Sequence, residues 1–412
     1  MYREIARCRI CENTELVPVL DLGNQALTGI FPKDKRQEVE RMPLQLVKCH
    51  GENHCGLLQL RHTGHLSRMY GGNYGYRSGL NHSMVQHLQR KVRSILDRIP
   101  VSSGDLVIDV GSNDGTTLQA FPRDLQLVGI DPTGKKFASY YPAHIGLIPD
   151  FFSARTVRDR FGAKKARIVT SFSMFYDLED PTSFMRDVHD ILADDGIWIF
   201  EQSYMPAMLE HNSYDTVCHE HLEYYALRQI QWMAQRVGFR VLDVEFNDVN
   251  GGSFSITIAK EGSSFPANEG NVSSALSREE ELGLQTLAPY RTFEKSVSEH
   301  RLTLNNLLRA INQSGKKVLG YGASTKGNVI LQYCNLTGQD LSCIAEVNED
   351  KFGAFTPGTL IPIVSETDAK RMGPDFFLVL PWHFREAILS REAQYRRAGG
   401  KFVFPMPSVS VV

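Results

Sequence analysis

The chain has no surplus of charge of either sign. Its 45 Lys and Arg stand against 47 Asp and Glu, a formal net charge of −2 over 412 residues. That balance leaves no electrostatic footprint for nucleic acid or an anionic membrane, so neither is expected as a partner. Long apolar runs are missing too: no window approaches the ~20 residues that a helical membrane span needs. The N-terminal stretch MYREIARCRICENTELVPVL is broken by charges throughout, which argues against a secretory leader. Cysteine is scarce, with seven residues, an odd number. Together with the lack of a leader this fits a reducing cytoplasm, where grouped cysteines point to metal more than to disulfides. No short repeat runs along the chain, so a solenoid is not expected.

What is present is globular material: 42% apolar and 22% charged residues, ordinary proportions for a chain that buries real cores. At roughly 150 residues per domain the length suggests two or three domains. Residues 82–98 show helical spacing, with Met84, Leu88, Val92, Ile95 and Leu96 on one face. Short apolar runs then alternate with amphipathic stretches: DLVIDVG, LQLVGID, ARIVTSF and GIWIFEQ each close on Gly, Asp, Ser or a polar residue. This rhythm predicts an α/β fold with a parallel sheet covered by helices. Residues 262–277, rich in Ser, Gly, Asn and Pro, read as a linker. A long helical stretch follows over roughly 278–313, and KKVLGYGASTKGNVILQYC restarts a strand, Gly-rich loop and helix.

Four of the seven cysteines fall in the first 70 residues. Cys8-x2-Cys11 precedes Cys49-x5-Cys55, and a C-x2-C knuckle presents two thiolates from one tight turn. A small loop-rich segment lacks core enough to hold itself, and a structural zinc would supply that folding energy. Cys8, Cys11, Cys49 and Cys55 are the expected ligands. His50 and His54 lie inside the second pair, and one of them is an alternative ligand.

The segment LVIDVGSNDGT (106–116) reads as a strand ending in Asp109, a loop with Gly111 and Gly115, and a helix start. A second strand, LVGID, ends in Asp131, placed to accept the hydroxyls of a ribose. The spacing D-x-G-x-x-x-G differs from the dinucleotide fingerprint G-x-G-x-x-G. It resembles the first motif of class I S-adenosylmethionine-dependent methyltransferases. That resemblance implies cofactor contacts along Asp109, Gly111, Ser112, Asn113, Asp114, Gly115, Asp131 and Pro132. Asp150-Phe151-Phe152 then falls where adenine contacts are often placed.

The densest polar cluster is YDTVCHEHLEYY (214–225). Two histidines flank Glu220, and histidine takes and returns protons near neutral pH. The pattern differs from H-E-x-x-H, which puts two histidines one helical turn apart on zinc. A neighbouring carboxylate can orient an imidazole.

Taken together, C-x2-C, CGLLQL (55–60), YGYRSGLN (74–81), VGSNDG (110–115), HEHLEYY (219–225), NGGSFSI (250–256), GYGASTKGN (320–328) and TPGTLIPI (356–363) resemble the nucleotide-sugar C-methyltransferase family over nearly the whole chain. The resemblance implies three parts: a zinc-binding domain (1–70), a class I, Rossmann-like methyltransferase domain (71–262) and a C-terminal Rossmann-like domain (263–412). It implies that the substrate is a nucleotide-diphosphate 4-keto-6-deoxy sugar, methylated at C3. His221 would be the general base, Glu220 would support or orient it, and Tyr76 and Tyr224 would lie near substrate. In the C-terminal part Tyr321, Ser324, Lys326, Asn328, Glu346 and His383 would contact the nucleotide sugar, with Lys326 and a helix start suited to phosphate. Two departures stand out: Cys218 replaces a frequent Tyr, and Tyr176 sits where some members have His. Three other readings stay open: an O- or N-methyltransferase on a similar sugar, an NAD-dependent oxidoreductase using either Gly-rich loop, and a non-enzymatic nucleotide-binding scaffold. Thymidine, guanosine and cytidine carriers are all compatible, as are a monomer and a dimer.

Overall fold

The computed structural model describes residues 2–64 and 76–412. The expected boundary at 70 to 71, and Tyr74 and Gly75 of the YGYRSGLN motif, lie outside the described residues. The N-terminal part is an antiparallel sheet of β1 (Leu16–Ala26), β2 (Arg41–Cys49) and β3 (Leu58–Leu60). Helix α1 (His82–Arg98) follows, over the span the periodicity predicts; Asn81 caps it by accepting from Ser83 N. Leu88, Val92 and Ile95 are buried, whereas Met84 and Leu96 are only half-buried.

The central sheet comes next in the chain: β4 (Leu106–Val110), β5 (Gln126–Ile130), β6 (Ile145–Ile148), helix α2 (Ala154–Phe161), β7 (Ala166–Phe172), helix α3 (Pro181–Ile191) and β8 (Leu192–Ser203). A two-residue strand β9 (Glu223–Tyr224) interrupts it, and then α4 (Leu227–Val237), β10 (Phe239–Asn247) and β11 (Ser253–Lys260) complete it. The spatial order is β10-β11-β8-β7-β4-β5-β6, seven strands. Pairing is parallel through β8, β7, β4, β5 and β6, and β11 runs antiparallel to both β8 and β10. This is the class I methyltransferase topology. The central strand β4 is buried at all five residues, as expected of a parallel strand covered on both faces.

Strand β9 does not join that sheet. It pairs antiparallel with β3, Glu223 opposite Gln59 and Tyr224 opposite Leu58. The N-terminal sheet thus has the order β9-β3-β2-β1 and takes its edge strand from the middle of the chain.

Residues 262–277, read as a linker, are partly helical. Helix α5 (Glu269–Glu281) starts at Asn268, whose side chain accepts from Asn271 N. Ser and Asn favour such starts, which composition alone reads as loop. The buried Glu279 accepts from Leu227 N and Arg228 N and so caps α4, and Tyr204 donates to it as well. Helix α6 (Ala288–Gln313) buries Tyr290, Phe293, Val297, Leu304 and Leu308 along one face. Each such side chain contributes about 1.5–3 kcal/mol on burial. The last sheet contains β12 (Val318–Tyr321), β13 (Ile344–Glu346), β14 (Ile363–Ser365), β15 (Phe376–Val379), β16 (Lys401–Phe404) and β17 (Ser410–Val411), in the order β14-β13-β12-β15-β16-β17. Helix α7 (Thr325–Tyr333) follows β12. All its pairings are parallel except β16 with β17, a Rossmann-like arrangement. Among the described residues no helix is long and apolar enough to cross a membrane.

Candidate active site

The knuckle is a tight turn: Cys8 N donates to Asn13 O, Glu12 N donates to Cys8 O, and Glu12 adopts a φ of 62°. It brings Cys8 and Cys11 against Cys49 at the end of β2 and Cys55 before β3. The Sγ atoms of all four lie within 4.8 Å of one another, with Cys8 and Cys55 at 3.5 Å and Cys11 and Cys49 at 3.5 Å. A tetrahedral zinc with bonds of about 2.3 Å sets its sulfurs about 3.8 Å apart, so the group fits that ion. The Cys49 thiol is pushed down toward thiolate, chiefly because Cys11 donates to it, with Cys55 and Cys8 adding. Asn13 Nδ2 and Leu57 N lie 3.4 Å from the Cys49 and Cys55 sulfurs. Lys48, fully buried, donates to Gly56 O at 2.8 Å and sets a cation beside the thiolates. His50 and His54 pack on each other, centroids 5.4 Å apart, and take no part in the sulfur group. Four thiolate ligands would leave no open coordination position, so an ion held there would be structural.

At the end of β4 the Gly-rich loop turns through three left-handed residues, Gly111 (φ 73°), Asn113 (φ 50°) and Gly115 (φ 74°). A Cβ at Gly111 would stand 2.9 Å from Met174 Cγ. The loop is tightly wired. Asp131 accepts from Asn113 N at 2.8 Å and from Thr133 N at 2.7 Å. Tyr141 Oη lies 2.8 Å from Ser112 Oγ. Asn113 Oδ1 accepts from Ser78 N, and Asp114 Oδ2 accepts from Gly79 N, so residues 76–79 lie against the loop. Asp109 is buried and accepts from Thr170 Oγ1 at 2.7 Å; burial raises its carboxyl to about 7. Asp131 Oδ1 accepts from both Thr133 N and Thr133 Oγ1, whereas Oδ2 accepts from Asn113 N alone and keeps a lone pair, which is what a ribose hydroxyl needs. Pro132 is half-buried directly after it. Phe151 is exposed, whereas Phe152 packs on Phe184 at 4.9 Å and belongs to the core. The glycine turn and the acid therefore suit an adenosyl cofactor.

His221 sits where the chain reverses after the short helix Tyr214–Thr216. Its Nδ1 lies 2.8 Å from Thr216 O. A carbonyl only accepts, so that contact assigns the proton to Nδ1 and leaves Nε2 with a free lone pair. Tyr224 Oη donates to the same carbonyl at 3.4 Å, and the Tyr176 ring lies 4.3 Å from the imidazole, centroid to centroid. Burial first, then the Lys326 charge, depress the imidazole to about 3. His221 is thus neutral at pH 7. Tyr224 is buried, while the Tyr76 side chain is exposed and its carbonyl accepts from Asn113 Nδ2.

Glu220 does not hold the imidazole. The orienting contact comes from Thr216 O, and Glu220 Oε2 instead accepts from Thr28 Oγ1 of the N-terminal part at 3.4 Å. The turn at 218–221 points the two side chains different ways: His221 N donates to Cys218 O, which closes it. A Cβ at Gly29 would stand 2.8 Å from Glu220 Oε1. His219 is buried and bonds Met42 O at 3.1 Å through Nε2, a clip between parts of the chain. Burial raises the Cys218 thiol well above its ordinary range and keeps it inert.

The C-terminal residues expected at the substrate divide into three groups. Lys326 Nζ donates to Asn250 O at 3.2 Å, and its charge depresses both His221 and His383, burial acting first in each case. His383 Nδ1 is buried without a partner among the described residues. Ser324 caps α7 by accepting from Gly327 N, and Glu346 accepts from Ala323 N, Val347 N and Asn348 N, so both shape the loop. Tyr321 and Asn328 point elsewhere. Tyr321 is core, its hydroxyl donating to Glu392 at 2.9 Å, because strand alternation turns it away from the loop. Asn328 is fully buried and donates to Thr28 O at 2.8 Å. Asp215, which bonds the Trp382 indole N–H at 2.8 Å, and Thr28 carry no motif. Only their contacts bring them here, Thr28 of the N-terminal part meeting both Glu220 and Asn328.

Comparison with known proteins finds three family models along the chain. Residues 8–70 match a family described as a zinc binding domain, 84–244 a methyltransferase domain, and 248–407 a C-methyltransferase C-terminal domain. The chain is 30% identical to the C-methyltransferase NovU of Streptomyces niveus, over 100% of this chain and 98% of that protein. Among solved structures, the YcgJ protein of Bacillus subtilis overlaps 44% of this chain and 100% of its own, at 15% identity and a TM-score of 0.33. An S-adenosylmethionine-dependent methyltransferase of Clostridium acetobutylicum overlaps 43% of this chain and 92% of its own, at 10% identity and a TM-score of 0.34.

Proposed function

The chain belongs to the C-methyltransferase family, and from that premise we propose that it methylates C3 of a nucleotide-linked 4-keto-6-deoxy sugar with His221 as general base. It is an S-adenosylmethionine-dependent C-methyltransferase. The observation that carries the finer reading is the pinned tautomer: Nδ1–H on Thr216 O and a bare Nε2 beside the Lys326 charge. A carbon next to a ketone is acidic enough for an imidazole to deprotonate when the resulting oxyanion is stabilised. His221 Nε2 takes the C3 proton, and the C–H electron pair becomes the enolate with its charge on O4. The bond from C3 to the methyl carbon forms as the sulfur–methyl bond breaks, and the imidazolium returns its proton to water. The Gly111–Gly115 loop and Asp131 would hold the cofactor, which would supply a methyl group already activated on a sulfonium. The protein's task is alignment and exclusion of water.

The division into residues 1–70, 71–262 and 263–412 is part of the same reading, with the third part presenting the nucleotide diphosphate. Lys326 gives one of its three donors to Asn250 O and has two left for phosphate. An anion there would offset the charge that depresses His221, so substrate binding would raise the basicity of the base when it is needed. The start of α7 adds backbone donors. The test is to offer dTDP-, GDP- and CDP-4-keto-6-deoxyhexoses with methyl-labelled cofactor. Label on sugar carbon, with C3 proton exchange in deuterated water, supports the proposal; label on oxygen or nitrogen overturns it.

A further inference from the structure

The first of the two residues between the cysteines of the knuckle reaches the strand that follows the base. Arg9 is nearly fully buried, and its guanidinium fans out over one edge. Nη1 donates to Leu60 O at 2.7 Å and Gln59 Oε1 at 3.2 Å, Nη2 donates to Thr63 Oγ1 at 2.7 Å, and Nε faces Glu223 Oε1 at 3.4 Å. Its backbone N–H donates to Gln59 Oε1 as well. The Glu223 side chain is fully buried and, among the described residues, accepts no hydrogen bond; burial pushes its carboxyl well above the usual range, and Arg9 is the cation that opposes that shift. Glu223 lies two residues after His221, in the strand β9 that pairs with β3. Leu60 N donates to Leu222 O, and Gln229 Nε2 donates to Cys55 O, so the segment carrying the base is stitched to the cysteine module on both sides.

A buried ion pair is a poor device for stability, because desolvation of both charges offsets their attraction, and a well-packed apolar pair would serve as well or better. What such a pair can do is fix register. A strand advances about 3.3 Å per residue, so a slip of one residue in β9 would carry His221 that far. A general base must stand within about 2.6–3.2 Å of the atom bearing its proton, so such a slip abolishes the reaction. We propose that Arg9 is a positioning residue for His221: acting through Glu223, it locks β9 in register on the cysteine module, so that the module sets where the imidazole points. The proposal rests on His221 being the base, and it gives the metal-binding part a role in the reaction without contact to substrate.

The experiment uses the full chain with isotope-labelled histidine, the His221 resonances being assigned with His221→Gln. In the wild type the Nδ1–H signal on Thr216 O is expected to be slow to exchange with water. In the double variant Arg9→Met, Glu223→Gln, which leaves no unpaired charge, exchange of that proton is expected to accelerate at least 10-fold. Zinc content and affinity for S-adenosylhomocysteine should stay within about 2-fold of wild type. Arg9→Lys, which keeps the charge but loses the fork on Leu60 and Thr63, is read in the same way should the double variant fail to fold. An unchanged His221 signal in a zinc-loaded variant overturns the proposal, and so does loss of zinc in step with the change at His221, the mark of a purely folding role. Failure of the base assignment has a separate signature: His221→Gln would then retain methyl transfer whatever the Arg9 variants do.

Discussion

Replacing Lys326 with methionine isolates the electrostatic control of the base. Met has nearly the same reach and no charge, so packing changes least. Two causes push the His221 imidazole from its ordinary 6.5 to about 3, burial first and then Lys326, against the opposing contact with Thr216 O. A repulsion of about 1.4–2 kcal/mol, the order expected of a nearby unit charge at an effective dielectric of about 20, corresponds to about 1–1.5 pH units. Removing the ammonium should therefore raise the midpoint of His221 from about 3 to between about 4 and 4.5. The residual depression belongs to burial, which the substitution leaves in place. The assay is a titration of the His221 ring resonances in the full chain, with His383 as an internal control. Lys326 lowers that ring too, after burial, so its midpoint should rise in parallel. His219 has no Lys326 contribution and should not move. A His221 midpoint within 0.3 units of wild type would show that Lys326 does not face the base, and the proposed coupling of substrate charge to basicity would fall with it.

Removing the metal should matter more than losing any one helix cap. With Cys8→Ser, or under a strong chelator, one zinc per chain is expected to be lost, with a fall in melting temperature and increased protease sensitivity in residues 2–64; atomic absorption and limited proteolysis check this. Asp131→Ala removes the acceptor for Asn113 N and Thr133 N, so affinity for S-adenosylhomocysteine should fall at least 10-fold by calorimetry, while zinc stays bound. Stability should decline as pH falls from 6.5 toward 4. His219 is buried neutral at about 4, so below 6.5 the unfolded chain binds a proton that the folded chain refuses. The 2.5-unit gap corresponds to about 3.4 kcal/mol at most. Urea midpoints at pH 7.5 and 5 measure it, and His219→Gln should flatten the slope.

Much of the fold was legible because its signals are local. The α/β rhythm follows from continuous apolar strands such as LVIDV, which only a sheet covered on both faces can bury. The knuckle spacing put Cys8 and Cys11 together, and the four sulfurs do converge. Residues 82–98 form the helix their periodicity predicts. The illegible parts depend on contacts distant in sequence. The stretch 262–277 reads as linker by composition, yet Glu279 is drawn in to cap α4 and the segment before it becomes helix. Strand β9 carries no sign that its partner is β3, with Glu223 opposite Gln59 and Tyr224 opposite Leu58. Glu220 stands next to His221 in sequence, but adjacent residues on a turn diverge, and the imidazole is held by a backbone carbonyl, which no side-chain motif records. Tyr321 lies inside GYGASTKGN, where alternation along β12 sends it into the core. Thr28 and Asp215 have no motif at all and enter the site through contacts distant in sequence, Thr28 with Glu220 and Asn328 and Asp215 with Trp382.

Carbon-acid exchange tests the central claim most directly. Full-length protein is loaded with S-adenosylhomocysteine, which blocks methyl transfer, and incubated in deuterated water with the 4-keto-6-deoxy sugar nucleotide that proves a substrate. The account predicts deuterium at C3 with the wild type, and at least 100-fold slower incorporation with His221→Gln at unchanged sugar affinity. Exchange at the wild-type rate in His221→Gln would contradict it.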